Sequence, residues 1–311
     1  AWYNAHPDFC DLDIDLDVAS VAVIGNGNVA IDVARVLAKT HEEMLRSDIA
    51  DYAAEKIHRA PIRAIHIFGR RGPLEASFTP KELGELGELA DCTALVDPAQ
   101  LPAIDGLRGI EPVVKKNLAH LQAFATNKPG SKRKSLYLHF YARPVAVLGS
   151  GRVSGLRLER TRVEDGACIG TGETFDLACG LVVPCIGYRS QAIEGVPYDE
   201  RRGRFVNDRG TIAAGLFCTG WARRGPSGTI GTNRTDAFEV AETIMQSLKP
   251  SGKAGGDGLD ALIRARGLEP VFFADWKRIE AAEEAAAAAG APRHKFASRA
   301  ELIAAARQRE T

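Results

Sequence analysis

A glycine pattern between a buried strand and an amphipathic helix constrains this chain most. Residues 18–24 are a short apolar, β-branched run, which is typical of a strand buried on both faces of a parallel sheet. Gly25-x-Gly27-x-x-Ala30 follows, and residues 28–39 then place valines and a leucine on one helical face. The first glycine permits the turn, the second lets a pyrophosphate approach the backbone, and the alanine allows close helix–strand packing. The pattern predicts dinucleotide binding at a helix N-terminus, with a plain structural turn as the alternative.

The residues after the second predicted strand indicate which dinucleotide is bound. This strand is predicted over residues 62–68, and Arg70-Arg71 follow it, where NAD-binding units carry an acidic residue for the ribose. Two guanidiniums suit a 2′-phosphate, which accepts paired charge-assisted hydrogen bonds. The sequence therefore predicts NADP(H), with a solvated basic turn as the alternative.

Periodicity and turn residues outline the remaining elements. A helix is predicted over 41–58, and a second over 79–89 with Thr79 as its N-cap. The further predictions are a helix ending at 125, meander strands at 135–148, 153–163, 174–177 and 181–186, a short strand at 215–219, a helix at 233–248, and Ala-rich helices beyond the linker at 250–258. A second glycine-rich stretch at 149–155 has the wrong spacing for a fingerprint and predicts a β-hairpin turn. The Glu-Ala run around Glu283 predicts a solvated helix.

Composition excludes several classes of protein. Forty basic and forty acidic residues give a formal net charge of zero, so nucleic acid or an anionic membrane would not attract the chain as a whole. No apolar run reaches the roughly 20 residues that a membrane-spanning helix needs, so we expect no membrane insertion. The six cysteines are scattered without a C-x-x-C pair, so no metal or iron–sulfur site is predicted. We expect free thiols in a reducing cytoplasm, although disulfides stay possible.

Several motifs, taken in order, resemble one family. The resemblance is to the adrenodoxin-reductase-like ferredoxin–NADP⁺ reductases. The NADP module of that family is similar to residues 25–35, 69–73 and 78–83 of this chain. The stretch that enters this module is similar to residues 2–4, and the flavin-contacting turn of the family is similar to residues 220–232. The similarity covers nearly all of residues 1–250.

The resemblance implies roles for individual residues. The cofactor-binding residues would be Gly25, Asn26, Gly27, Asn28 and Val29 at the pyrophosphate, Arg70 and Arg71 at the 2′-phosphate, Glu82 near the nicotinamide ribose, Trp221 near flavin and nicotinamide, and Gly228, Thr229 and Ile230 at the flavin through backbone. Glu82 on its own would be an ordinary exposed helix carboxylate, and a lone Trp221 would be a core residue. No catalytic acid, base or nucleophile is predicted, because the cofactors carry the chemistry.

The resemblance also implies two dinucleotide modules, whereas this chain has one valid fingerprint. The flavin fingerprint would lie upstream of Ala1. We therefore expect an α/β fold with a Rossmann-like NADP-binding module at 1–186, containing a mixed sheet and a β-meander. The C-terminal part of an incomplete flavin module is expected at 187–250, and a linker with a helical extension at 251–311. FAD should bind weakly or not at all.

The function that the resemblance implies is electron transfer between NADPH, FAD and a ferredoxin-type iron–sulfur protein. Ferredoxins are generally acidic, so such a partner implies a basic face on the reductase. The candidates are Lys115, Lys116, Lys128, Lys132, Arg133 and Lys134, with solvated charges that bind no partner as the alternative. One alternative is a redox-silent NADP(H)-binding module. Another is the small electron-feeding subunit of a glutamate-synthase-like complex, which would require iron–sulfur cysteines.

Overall fold

The chain divides into two compact units. The computed structural model describes residues 1–103, 109–228, 230–249 and 252–308. One unit consists of Ala1–Ile186 together with Val271–Thr311, and the other consists of Gly187–Pro270. The extension predicted at 251–311 is therefore shared between the two units.

A parallel sheet forms the centre of the first unit. The strands of this unit are β1 (Ser20–Ile24), β2 (Ala64–Phe68), β3 (Cys92–Val96), β4 (Lys134–His139), β5 (Ala142–Leu148), β6 (Gly155–Glu164), β7 (Ala167–Ala178) and β8 (Leu181–Pro184). Five of them form a sheet in the order β3-β4-β2-β1-β8, with every neighbouring pair parallel. The α/β fold class is confirmed.

Alternate residues of β1 enter two separate cores, as the apolar run predicts. Val21 and Val23 belong to a large core that also contains residues of the helix that follows the Gly25–Gly27 turn. Ala22 and Ile24 belong to a smaller core on the opposite face, together with Leu156 of β6. Because successive side chains of a strand point to opposite faces, a strand covered on both sides must be apolar throughout.

Five α-helices accompany the sheet in the described part of residues 1–186: α1 (Asn28–Ala38), α2 (His41–Leu45), α3 (Asp51–Arg59), α4 (Pro80–Glu85) and α5 (Pro112–Ala125). The single helix predicted over 41–58 is wrong, because α2 and α3 are separate. Between them Ile49 and Ala50 are buried, and the Ala50 N–H donates to the Tyr3 carbonyl at 3.5 Å. Packing of this segment interrupts a helical pattern that local periodicity would have continued. The Thr79 N-cap is confirmed, since its hydroxyl accepts from the Glu82 N–H.

The strands predicted as one meander belong to two sheets. Strands β5, β6 and β7 form an antiparallel sheet of their own, and residues 149–154 make the predicted hairpin turn between β5 and β6. The strand predicted over 135–148 is instead two strands, because β4 lies in the parallel sheet and β5 in the antiparallel one. The chain changes sheet at Tyr141, which has a φ of 56°.

The second unit has little regular sheet. Its elements are β9 (Tyr198–Asp199), β10 (Arg204–Phe205), β11 (Thr211–Ala213), β12 (Leu216–Phe217), α6 (Trp221–Arg224), α7 (Ile230–Ser247) and α8 (Gly255–Ala265). Among the residues that the structure describes, these strands form two antiparallel ribbons, β9 with β10 and β11 with β12.

The C-terminal helices α9 (Phe273–Ala285) and α10 (Arg299–Arg307) belong to the first unit. The solvated helix predicted around Glu283 is wrong at Glu283 itself, which is only 9% exposed. Its carboxylate accepts from the Phe296 N–H at 3.0 Å and pairs with Arg293 at 3.5 Å. Glu283 therefore anchors the chain between the two helices.

Candidate functional site

The glycine turn lies at the carboxyl end of the parallel sheet. The Gly25 N–H donates to the Phe68 carbonyl of β2 at 3.0 Å, and the Cys185 N–H donates to the Ile24 carbonyl at 2.6 Å. Gly25 has a φ of 140°, and a Cβ at this position would overlap the Cys185 carbonyl group. The turn between β1 and α1 therefore requires glycine here for steric and conformational reasons.

Gly27 differs from Gly25, because the protein itself leaves room for a side chain. Gly27 is the N-cap of α1 with an extended backbone, and the nearest atom to a built Cβ is the Ser77 Cβ at 3.9 Å. Ala30 is fully buried one turn later. Among the described residues, the N–H groups of Asn28 and Val29 find no acceptor. The arrangement suits an anion at the helix N-terminus.

Asn26 and Asn28 join the glycine turn to two other predicted parts of the site. The Ser77 N–H donates to the Asn26 carbonyl at 2.8 Å, and the Thr79 N–H donates to Asn28 Oδ1 at 2.8 Å. A Cβ at Gly69 would lie 2.6 Å from Asn26 Nδ2, so the Asn26 side chain packs on the turn that carries the arginines. The predicted pyrophosphate and 2′-phosphate residues therefore adjoin each other.

Arg70 and Arg71 offer two free guanidiniums beside this turn. Arg70 is exposed and Arg71 is half-buried. Within the described residues, no hydrogen bond or ion pair involves either guanidinium. The backbone of the same residues is tightly bonded, because the Arg71 carbonyl accepts from the Tyr141 N–H at 3.1 Å. A fixed backbone with free cationic ends suits recognition of an anion.

Glu82 lies near the glycine-turn helix but is not free. Its carboxylate is 3.4 Å from Arg35 Nη2, and the same guanidinium binds Asp32 at 2.5 Å and also contacts Glu85. One arginine thus serves three carboxylates. The role predicted for Glu82 at the nicotinamide ribose stays a prediction. Arg35 was not among the predicted site residues, although it belongs to the stretch that carries the family resemblance.

The second predicted cofactor turn lies in the second unit. Gly220 has a φ of 64° and caps the short helix α6, and Gly228 has a φ of 87°. Trp221 is 40% exposed and stacks on Tyr188, with ring centroids 5.7 Å apart. Thr229 lies outside the described residues, and Ile230 begins α7. Trp221 is thus a surface residue of this unit and not a core residue.

A buried carboxylate holds this turn in place. Asp236 of α7 is 4% exposed and accepts from the Gly220 N–H, from Thr219 Oγ1 at 2.9 Å and from Arg223 Nη1 at 2.7 Å. Burial raises the pKa of Asp236, but these hydrogen bonds outweigh burial and hold it below its ordinary value. Asp236 was not among the residues predicted from the sequence. The signal was an acidic residue four positions before Val240, on the same helical face.

No helix in the described part of the chain combines the length and hydropathy needed to cross a bilayer. No cluster of three or more metal-binding side chains is found there. All six cysteines are free.

The sequence of the chain is similar to those of several NADPH-dependent reductases. No protein-family model matches the chain. It is 36% identical to the mitochondrial NADPH:adrenodoxin oxidoreductase of Rattus norvegicus over 97% of this chain and 66% of the relative. The human enzyme of that name is also 36% identical, over 97% of this chain and 67% of the relative. The NADPH-ferredoxin reductase FprA of Mycobacterium tuberculosis is 37% identical over 97% of this chain and 70% of the relative.

The fold of the chain is also similar to a solved structure of one of these relatives. The structure of Mycobacterium tuberculosis FprA in complex with NADPH superposes with a TM-score of 0.91 at 37% identity. The superposition covers 98% of this chain and 71% of FprA. The chain spans about two thirds of the length of the curated relatives it matches.

Proposed function

Because the chain belongs to the adrenodoxin-reductase-like ferredoxin–NADP⁺ reductases, we propose that it supplies the NADPH-binding part of an oxidoreductase. That enzyme passes electrons between NADPH, FAD and a ferredoxin-type iron–sulfur protein. The observation that carries the proposal is the adjacency of the glycine turn and the free Arg70–Arg71 pair, joined by the packing of Asn26 on Gly69. The names of the relatives specify NADPH together with adrenodoxin or ferredoxin.

The residues present fit NADP(H). The N–H groups of Asn28 and Val29 would bind the pyrophosphate at the positive end of α1. The guanidiniums of Arg70 and Arg71 would bind the 2′-phosphate. Gly27 would let the phosphates approach the backbone, because its open surroundings exclude nothing. When bound, NADPH supplies a hydride, and FAD allows the electron pair to be passed on singly.

The turn at Trp221 supports a flavin contact but does not by itself hold a dinucleotide. Gly220 and Gly228 keep side chains away from its backbone, and a shallow basic cleft beside it is lined by Arg202, Arg204 and Arg224. The one fingerprint that opens a helix is used by β1 and α1. We therefore propose that this chain alone binds FAD weakly or not at all, and that residues 187–250 belong to a flavin module.

A redox-silent NADP(H)-binding module is the second candidate, favoured by the single fingerprint. Stoichiometric flavin absorbance of the purified chain would exclude the redox-silent module, whereas both candidates are consistent with its absence. Cytoplasmic residence is part of the proposal. Free thiols support it, whereas the names of several relatives state that they are mitochondrial.

The test of the proposed cofactor is its discrimination between NADPH and NADH. Each charge-assisted hydrogen bond contributes about 1.5–3 kcal/mol, so Arg70→Ala and Arg71→Ala should each weaken NADPH roughly tenfold or more. NADH binding should change little, because NADH lacks the 2′-phosphate. Titration of protein fluorescence with both cofactors measures this. Equal affinities of the wild-type protein for NADPH and NADH would contradict the assignment.

A further inference from the structure

The Arg70–Arg71 turn is held through its own carbonyl groups. The Arg70 carbonyl accepts from Thr161 Oγ1 at 2.7 Å and from Cys168 Sγ at 3.1 Å. The Arg71 carbonyl accepts from the Tyr141 N–H at 3.1 Å. The donors come from the antiparallel sheet β5–β7 and from its entrance at Tyr141. The antiparallel sheet therefore holds the backbone of the predicted 2′-phosphate site in place.

Tyr141 has a strained backbone conformation, which its hydrogen bonds to this turn and to β6 explain. A φ of 56° is rare for a residue with a bulky side chain. Such conformations persist where the surroundings over-determine them, and they concentrate at functional sites. Both backbone groups of Tyr141 are used, because its carbonyl accepts from the Thr161 N–H at 2.8 Å. Its ring packs on Gly72, where a built Cβ would lie 2.7 Å from Tyr141 Cζ.

Thr161 is the central residue of this hydrogen-bond network. It is only 6% exposed, and its N–H and hydroxyl bond to Tyr141 and Arg70 respectively. The pairing of β6 with β7 shifts register between Glu159 and Thr161. Register shifts of this kind re-aim a side chain next to functional sites. A buried hydroxyl needs a hydrogen-bond partner, and the partner here is the carbonyl of the first arginine.

We propose that Thr161 is a positioning residue that sets the preference for the 2′-phosphorylated dinucleotide, assisted by Cys168 and Tyr141. The inference rests on the proposed function, because it assigns the 2′-phosphate to Arg70 and Arg71. Hydrogen bonds to both carbonyls fix the backbone from which the guanidiniums extend, so less conformational freedom is lost when the phosphate binds. NADH has no 2′-phosphate for the arginines to bind, so it should gain little from this order.

Thr161→Val is the decisive variant, because valine keeps the shape and removes only the hydroxyl. Loss of one neutral hydrogen bond corresponds to about three- to tenfold in affinity. We expect weakening of that size for NADPH and for 2′,5′-ADP, with NADH changed less than about twofold. Thr161→Ser keeps the hydroxyl and should restore the wild-type NADPH-to-NADH ratio. Isothermal titration calorimetry with the three ligands measures these affinities.

A cycle with the arginine separates this inference from the proposed function. If Thr161 acts through Arg70, Thr161→Val should have no further effect on NADPH affinity in an Arg70→Ala background. If Arg70→Ala leaves the NADPH preference intact, the proposed function fails. If Arg70→Ala abolishes the preference while Thr161→Val leaves the NADPH-to-NADH ratio unchanged, only the positioning role fails.

Two further outcomes also decide the matter. A parallel loss of NADPH and NADH affinity in Thr161→Val, with lowered thermal stability, would show a merely structural role. If that variant does not fold, Cys168→Ala provides the test, because Cys168 is partly exposed and donates to the same carbonyl. It should weaken NADPH about two- to threefold and leave NADH unchanged. An unchanged ratio there would overturn the proposal.

Discussion

Two glycines in one turn have different physical reasons for being glycine. Gly25 is required by the fold, because its φ is 140° and a Cβ would overlap the Cys185 carbonyl. Gly27 is required by nothing within the described protein, because its nearest neighbour would be 3.9 Å away. The first glycine is therefore needed for stability, and the second for ligand binding.

The matched substitutions Gly25→Ala and Gly27→Ala test this division. Gly27→Ala should keep the wild-type Tm but weaken NADPH at least tenfold, because the methyl group occupies space that the pyrophosphate would approach. Gly25→Ala should lose several kcal/mol of stability through backbone strain and steric overlap. Thermal unfolding and fluorescence titration measure the two effects. Full NADPH affinity in a folded Gly27→Ala protein would contradict the placement of the phosphates.

The positions of turn and capping residues were predictable from the sequence, whereas the burial of individual charged residues was not. Gly25, Thr79 and the hairpin at 149–154 follow from local turn and capping chemistry, which a sequence displays directly. Lys134 and Glu283 do not, because their burial depends on distant residues. The Lys134 ammonium donates to the Leu37 carbonyl at 2.6 Å, and burial lowers the pKa of Lys134. A charged residue inside a run of charges gives no local sign that tertiary contacts enclose it.

At the scale of elements, the same limit explains the misassigned strands. Residues 135–148 were predicted as one strand because apolar and polar residues alternate in both halves, but β4 and β5 lie in different sheets. The change of sheet depends on Tyr141, a residue that no turn preference would select for a positive φ. The parallel sheet itself was predictable, because a continuous apolar strand followed by a glycine turn and a helix has few other solutions.

Strands β2 and β4 carry a pair of histidines that should make stability depend on pH. His66 Nδ1 and His139 Nε2 are 3.0 Å apart. Burial lowers the pKa of each to about 4, from 6.5 in the unfolded chain. Between these values the unfolded chain binds more protons than the folded chain. The contribution of the two histidines to stability is therefore fully present above about pH 6.5 and is lost as the pH falls toward 4.

The expected loss between pH 7 and pH 5 is at most about 2 kcal/mol for each imidazole. Urea unfolding of wild type and of His66→Gln/His139→Gln at both pH values measures it. The double variant should lose less stability than wild type by the combined contribution of the two imidazoles, whereas the exposed His6→Gln control should lose as much as wild type. Equal pH dependence in wild type and double variant would show that the histidine pair does not control acid stability.

At the scale of the whole molecule, the basic candidates for ferredoxin docking are not equivalent. Lys132 donates to the Leu89 carbonyl, Arg133 pairs with Asp91 at 2.8 Å, and Lys134 is buried. The loop predicted as a docking surface is therefore largely committed to the fold. Lys115 and Lys116 of α5 and Lys128 are exposed, and they have no ion-pair partner among the described residues. These three cations are the better candidates.

Replacement of Lys115, Lys116 and Lys128 by glutamine should weaken binding of an acidic ferredoxin and flatten its dependence on salt. Exposed charges attract across about 10 Å at 0.1 M salt and less at higher salt, so the difference between variant and wild type should shrink as salt rises. The control removes charge elsewhere, at the exposed Arg59 and Arg162, and should behave like wild type. NADPH affinity should stay unchanged in both proteins, because none of these residues contacts the glycine turn. Binding measured by calorimetry from 20 to 300 mM salt, conditions chosen to span roughly 20 to 6 Å of screening length, provides the comparison. A triple variant with the wild-type affinity and salt slope would place the ferredoxin on another face.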